Sequence, residues 1–157
     1  MSRLAPTERP AERPAERPSI VPPTRAPRSA AVAPLVIVAE DDDELRQLLC
    51  HKLRRHGCRV MAARTGLELA QLLVEPGHEP AAVELVITDI RMPGLTGLEI
   101  VALLRQVDWA LPVIVITGFG DLEAHAEAAR LGAMLFDKPV DLDVLATAAC
   151  AAVGLDR

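Results

Sequence analysis

Five short apolar runs, separated by stretches of helical periodicity, constrain the fold of this chain more than any other feature. They read LVIVA (35–39), CRVMAA (58–63), ELVIT (84–88), PVIVIT (112–117) and AMLF (133–136). Short continuous runs rich in β-branched residues mark strands buried on both faces of a sheet. Between them the spacing predicts helices. Leu45, Leu48, Leu49 and Leu53 share one helical face, with Gly57 as a C-terminal stop. TGLE occurs twice, at 65–68 and 96–99, each time as a capping box. The first opens a helix through Leu69, Leu72 and Leu73 that EPG (75–77) ends; the second opens a helix through about Val107. Asp121 caps an Ala-rich helix that stops at Gly132, and Asp141 starts the last, LDVLATAACAAV. Strands separated by helices pair in parallel through right-handed crossovers. The expected fold is therefore α/β, a doubly wound (βα)5 parallel sheet of five strands with helices on both faces.

This pattern occupies residues 35–154. The 34 residues before it differ in kind. They hold eight of the 13 prolines, and TERPAERPAERP (7–18) repeats a four-residue unit three times. Proline at every fourth position excludes helix, and the lack of large apolar residues excludes a core. Residues 1–34 are expected to be a disordered Pro/Arg/Glu-rich tail, either passive or a docking peptide. The tail carries six Lys/Arg against three Asp/Glu, a net of about +3, so the whole-chain −5 leaves about −8 on residues 35–157. An acidic domain lacks the basic footprint that direct nucleic-acid binding needs. No apolar run approaches the ~18 residues of a membrane span, and the first residues do not resemble a signal peptide. Cys50, Cys58 and Cys150 form no CxxC pair and read as reduced thiols of a cytoplasmic protein. His51, His56, His78 and His125 show no metal-ligand spacing. No output domain is expected after the last helix.

In a doubly wound sheet the functional crevice lies beyond the C-terminal ends of the strands. Glu40 and Asp41 follow the first run, Asp89 follows the third, Thr117 ends the fourth, and Lys138 follows the fifth. A flavodoxin-like strand order, 2-1-3-4-5, brings all five to one edge. Three converging carboxylates raise one another's pKa unless a cation joins them. A hard divalent cation with oxygen ligands, Mg²⁺, meets that need. Asp89 is then a candidate phosphoryl acceptor, with Lys138 and Thr117 placed to meet phosphoryl oxygens. Asp42, Asp43 and Glu44 read instead as helix-start acids favoured by the helix dipole.

Four segments, VAEDDDELR, LVITDIRMPGLTGLE, VIVITGFGD and DKP, occur in the order and at the spacings of the response-regulator receiver domain of bacterial two-component signalling. The chain resembles that family from Leu35 to Val153. The resemblance implies that Asp41 is a direct Mg²⁺ ligand, that Glu40 acts through a metal-bound water, and that Asp89 is both phosphoacceptor and metal ligand. It further implies that the main-chain carbonyl of Arg91 binds the metal, that Thr117 and Lys138 contact the phosphoryl group, and that a cis-prolyl bond follows Lys138. A sensor histidine kinase phosphohistidine, or a phosphotransfer protein, would be the donor. The fourth helix, fifth strand and fifth helix would switch to control a downstream partner, or pair in a homodimer.

Two positions depart from the family's pattern. Leu135 stands where an aromatic usually couples to the threonine, and Phe136, one step along, should point to the opposite face and pack in the core. Arg91 and Phe119 flank the phosphoryl position and are expected to shield it from water. Two other readings stay open: a pseudo-receiver that binds a partner without taking phosphate, and a haloacid-dehalogenase-type phosphatase. The second leaves DIRMPG unexplained.

Overall fold

A computed structural model of the chain describes residues 32–74, 83–108, 110–118 and 121–155. Of the expected tail, all but residues 32–34 lies outside the described residues, as do the EPG stop and Phe119. The elements alternate as read: β1 (Leu35–Ala39), α1 (Asp43–Arg55), β2 (Arg59–Ala63), α2 (Gly66–Val74), β3 (Val83–Asp89), α3 (Gly97–Arg105), β4 (Val113–Thr117), α4 (Leu122–Arg130), β5 (Met134–Asp137) and α5 (Leu142–Ala152). All strand pairs are parallel, in the order β2-β1-β3-β4-β5.

Why the runs became strands is visible in their burial. Every residue of β1 and β4 is buried, and six of the seven in β3, because helices cover both faces. Side chains alternate between two cores. Leu35, Ile37, Val86 and Val115 pack with Leu69, Ile100 and Val101 on the side of α2, α3 and α4. Val36, Val38, Ile87 and Ile116 pack with Leu49, Leu53, Leu145 and Ala149 on the side of α1 and α5. Phe136 joins this second core, half-buried, as its place on β5 predicts.

Boundaries follow local chemistry. Gly57 and Gly132 end α1 and α4 with φ of 92° and 64°, a left-handed backbone that favours glycine. The second TGLE is a full capping box: Thr96 Oγ1 accepts the Glu99 N–H, and Glu99 Oε2 accepts the Thr96 N–H at 2.7 Å. The first is half of one. Thr65 Oγ1 accepts the Glu68 N–H, but the Glu68 carboxylate reaches back one residue further, to the Arg64 N–H. Helix α3 is regular to Arg105 with Gln106 as its C-cap, and its last turn still carries the Asp108 N–H to the Leu104 carbonyl at 2.8 Å; Asp108 Oδ1 then accepts the N–H groups of Ala110 and Leu111 and turns the chain. Strand β3 runs one residue further than its apolar run, so Asp89 belongs to the sheet, opposite Ile116.

Candidate functional site

The parallel register aligns the strand ends. Ala39 pairs with Thr88, Asp89 with Ile116, and Thr117 with Asp137. Glu40 therefore leaves β1 beside Asp89, and Lys138 leaves β5 beside Thr117. Among the described residues, carboxylate oxygens of Glu40, Asp41 and Asp89 lie within 4.8 Å of one another. Lys138 Nζ donates to Asp89 Oδ2 at 3.0 Å and to Glu40 Oε1 at 3.4 Å. The five residues placed at one edge from sequence all end there.

The opening acids divide as the sequence suggests. Asp42 is the N-cap of α1, its Oδ1 accepting the Leu45 N–H at 2.8 Å, and Asp43 and Glu44 fill the first turn. Glu40 and Asp41 face the cluster instead. Glu40 is fully buried and Asp41 is exposed. Burial, aided by the nearby Asp89 charge, raises the Glu40 carboxyl to about 7 against the opposing Asp42 N–H and Lys138. Desolvation works to lower the Lys138 ammonium's pKa; the Asp89 and Glu40 carboxylates outweigh it and raise it.

A divalent cation fits this donor set. Glu40 Oε2 is buried and accepts no hydrogen bond; Nζ stands 3.2 Å away, which compensates charge without a directed bond. Three hard oxygen donors around one ammonium leave excess negative charge, the condition that Mg²⁺ satisfies. Asp89 Oδ1 accepts the Arg91 N–H at 3.3 Å, so the chain turns tightly past it. The Arg91 side chain is 79% exposed and lies 3.7 Å from Asp121. Thr117 is buried, and its hydroxyl donates to the Gly118 carbonyl at 3.4 Å, a weak bond that costs little to redirect. The Lys138 N–H donates to the Thr117 carbonyl at 2.7 Å, and the Lys138–Pro139 bond is cis.

Two supporting residues were not assigned these roles from sequence. Arg46 is 5% exposed; its guanidinium donates to the carbonyls of Glu40 at 2.8 Å and Asp41 at 3.5 Å, and it pairs with Asp43. It fixes the backbone that presents both acids. Thr88 Oγ1 donates to the Asp89 carbonyl at 2.9 Å from a fully buried position. A charged residue three places into a helix is ordinarily solvated, and Thr88 reads as a β-branched strand residue, so neither pattern signals the contact.

Residues 36–149 match the response regulator receiver domain family. The C4-dicarboxylate transport transcriptional regulatory protein DctD of Pseudomonas aeruginosa is 39% identical over 113 residues, which cover 70% of this chain and 23% of that protein. Sporulation initiation phosphotransferase F of Bacillus subtilis is 29% identical over 109 residues, 69% of this chain and 84% of that protein. A solved response regulator receiver protein from Pseudomonas putida, 32% identical, aligns with 77% of this chain and 98% of its own at a TM-score of 0.67. The chain spans a minor part of DctD and 55% of nodulation protein W of Bradyrhizobium diazoefficiens.

Proposed function

This chain belongs to the response regulator receiver domain family of two-component signalling, and from that premise we propose that Asp89 accepts a phosphoryl group from a sensor histidine kinase or a phosphotransfer protein. The reaction is Mg²⁺-dependent and cytoplasmic. The observation that carries this reading is the cluster itself: Asp89 at the end of β3, 3.0 Å from Lys138 Nζ and gathered with Glu40 and Asp41.

In the proposed step an Asp89 carboxylate oxygen attacks the phosphorus of a phosphohistidine. The P–N bond breaks, its electron pair returns to the imidazole, and an acyl phosphate forms on Asp89. Lys138 stands where its ammonium meets the charge of the phosphoryl oxygens, and the Thr117 hydroxyl turns from the Gly118 carbonyl to donate to one of them. Glu40, Asp41, Asp89 and the main-chain carbonyl of Arg91 would hold Mg²⁺, which when bound supplies further positive charge to those oxygens. Attack by water on the acyl phosphate releases inorganic phosphate and restores the carboxylate. The domain thus catalyses its own modification and reset without turning over a separate substrate.

The readout is the surface of α4, β5 and α5. Phosphorylation shifts its equilibrium between two arrangements and so controls a protein partner or a homodimer. Leu122 and Met134 on that surface are 80% and 48% exposed, apolar area that a partner would cover. The transcriptional roles in the names of the longer relatives belong to those whole proteins. For residues 1–34 the reading is a passive tail.

One incubation tests the central claim. The full chain with Mg²⁺ and a small acyl phosphate donor should gain one phosphoryl mass, and Asp89→Asn should gain none. No gain on the wild type would favour a pseudo-receiver; steady hydrolysis of a phosphomonoester would favour a phosphatase.

A further inference from the structure

The two TGLE motifs share more than a cap. In each, glycine occupies the first helical position, Gly66 in α2 and Gly97 in α3. Glycine is a poor helix former there, and the helix start does not require it. Neither residue has the left-handed φ that would explain a glycine. What both have is a backbone pressed against them. A methyl on Gly66 would overlap the Leu95 carbonyl oxygen, with the carbonyl carbon at 2.8 Å. A methyl on Gly97 would overlap the Asp89 carbonyl oxygen and stand 2.8 Å from Thr88 Oγ1. Both obstacles belong to one stretch of chain, residues 89–97, which carries Asp89 and Arg91.

We propose that Gly66 and Gly97 are a pair of positioning residues that clamp the Asp89 segment at its two ends and so set where its cation ligands stand. Gly97 closes the near end, where its N–H also donates to the Ile90 carbonyl at 3.0 Å. Gly66, from a different helix, closes the far end at Leu95. The Thr88 hydroxyl bond to the Asp89 carbonyl holds the same peptide from the strand side. Between the clamps the chain has no regular structure; it is anchored by the buried Ile90 and Met92 and by the Ile90 N–H to the Ile116 carbonyl at 3.1 Å, and the two glycine contacts add to those anchors at its ends. Gly66 is not one of the clustered residues, yet a side chain there must displace Leu95 or tilt α2. Either movement propagates along the segment to the Arg91 carbonyl. This inference rests on the proposed Mg²⁺ site for its functional consequence, but the clamp itself does not.

The test is Gly66→Ala in the full chain, beside two controls. Val153→Ala removes buried volume from the opposite core. Thr65→Ala removes the cap of α2 while leaving the close approach intact. Amide exchange is followed in the metal-free protein, and Mg²⁺ affinity by calorimetry. Gly66→Ala should speed exchange across residues 90–97 and weaken Mg²⁺ binding about tenfold, the order seen when outer support of a metal site is lost. Both controls should keep near wild-type values for segment 90–97 and for Mg²⁺ even where they melt lower. Wild-type exchange and affinity in Gly66→Ala, or equal losses in Val153→Ala, would overturn the proposal. A wild type that binds no Mg²⁺ would remove the site reading, and the exchange comparison would still decide the clamp. Should Gly66→Ala not fold, the wild type decides: residues 90–97 and the first turn of α2 should open together in amide exchange, and independent opening overturns the clamp.

Discussion

Replacing Lys138 with methionine keeps an unbranched apolar stem, one atom shorter, and removes the charge. Nζ lies 3.0 Å from Asp89 Oδ2 and 3.2 Å from Glu40 Oε2, and those two side chains are 5% and 0% exposed. Deleting one partner of a buried ion pair costs about 3–5 kcal/mol, because the remaining charge is left uncompensated. The lysine side chain is 32% exposed, so water already screens part of the interaction and about 2–3 kcal/mol is expected. For a domain of this size that corresponds to a melting temperature lower by roughly 10 °C. The assay is thermal unfolding followed by circular dichroism, first in EDTA and then in millimolar Mg²⁺. The variant should melt well below wild type in EDTA, and the gap should narrow in Mg²⁺, since a divalent cation supplies the missing charge to the same oxygens. The reasoning fails if the variant melts within about 2 °C of wild type in EDTA. It fails equally if the gap is unchanged by Mg²⁺, because then the carboxylates are not what the ammonium compensates.

Three further outcomes follow from other residues. Asp41→Ala should weaken Mg²⁺ binding while barely changing stability, whereas Asp42→Ala should keep the affinity and lose about 1 kcal/mol of helix capping, read from Mg²⁺ calorimetry and urea unfolding. Arg105 is 4% exposed and donates to the carbonyls of Leu131 at 2.7 Å, Leu111 at 2.7 Å and Asp108 at 3.1 Å. Arg105→Met strands buried acceptors and should lower the urea midpoint by about 3 kcal/mol equivalent, with Mg²⁺ affinity unchanged. Arg91→Asn should shorten the lifetime of the phosphorylated form, followed by loss of phosphoryl mass after the donor is removed; an equal lifetime would remove Arg91 as a shield.

The strands were most legible where burial was most complete. β1, β3 and β4 announced themselves because strands covered on both faces are apolar along nearly their whole length, with polar residues only at the ends, and parallel strands with helical crossovers then leave few topologies. β5 was harder: Met134 is exposed and the other three residues are half-buried, so the run is short and mixed. The candidate cluster was readable because the register turns "next after a strand" into "together at one edge". Arg46 and Arg105 were not readable as buried clasps. Their acceptors are main-chain carbonyls, which carry no residue signature, and some come from distant loops. The glycines of TGLE were hidden for the same reason: the atoms pressed against them are backbone. Residue type reports what a side chain brings, and is silent about which peptide will lie beside it.

Arg105 gives the sheet two unlike rims. At the rim where β4 and β5 begin, one guanidinium answers carbonyls from the connections into both strands. These three carbonyls are met from within. At the rim where the strands finish, the acids outnumber the ammonium, and a buried oxygen of Glu40 goes without a directed donor. Among the described residues, a guanidinium closes upon carbonyls at one rim, while at the other a buried carboxylate oxygen awaits charge brought from outside.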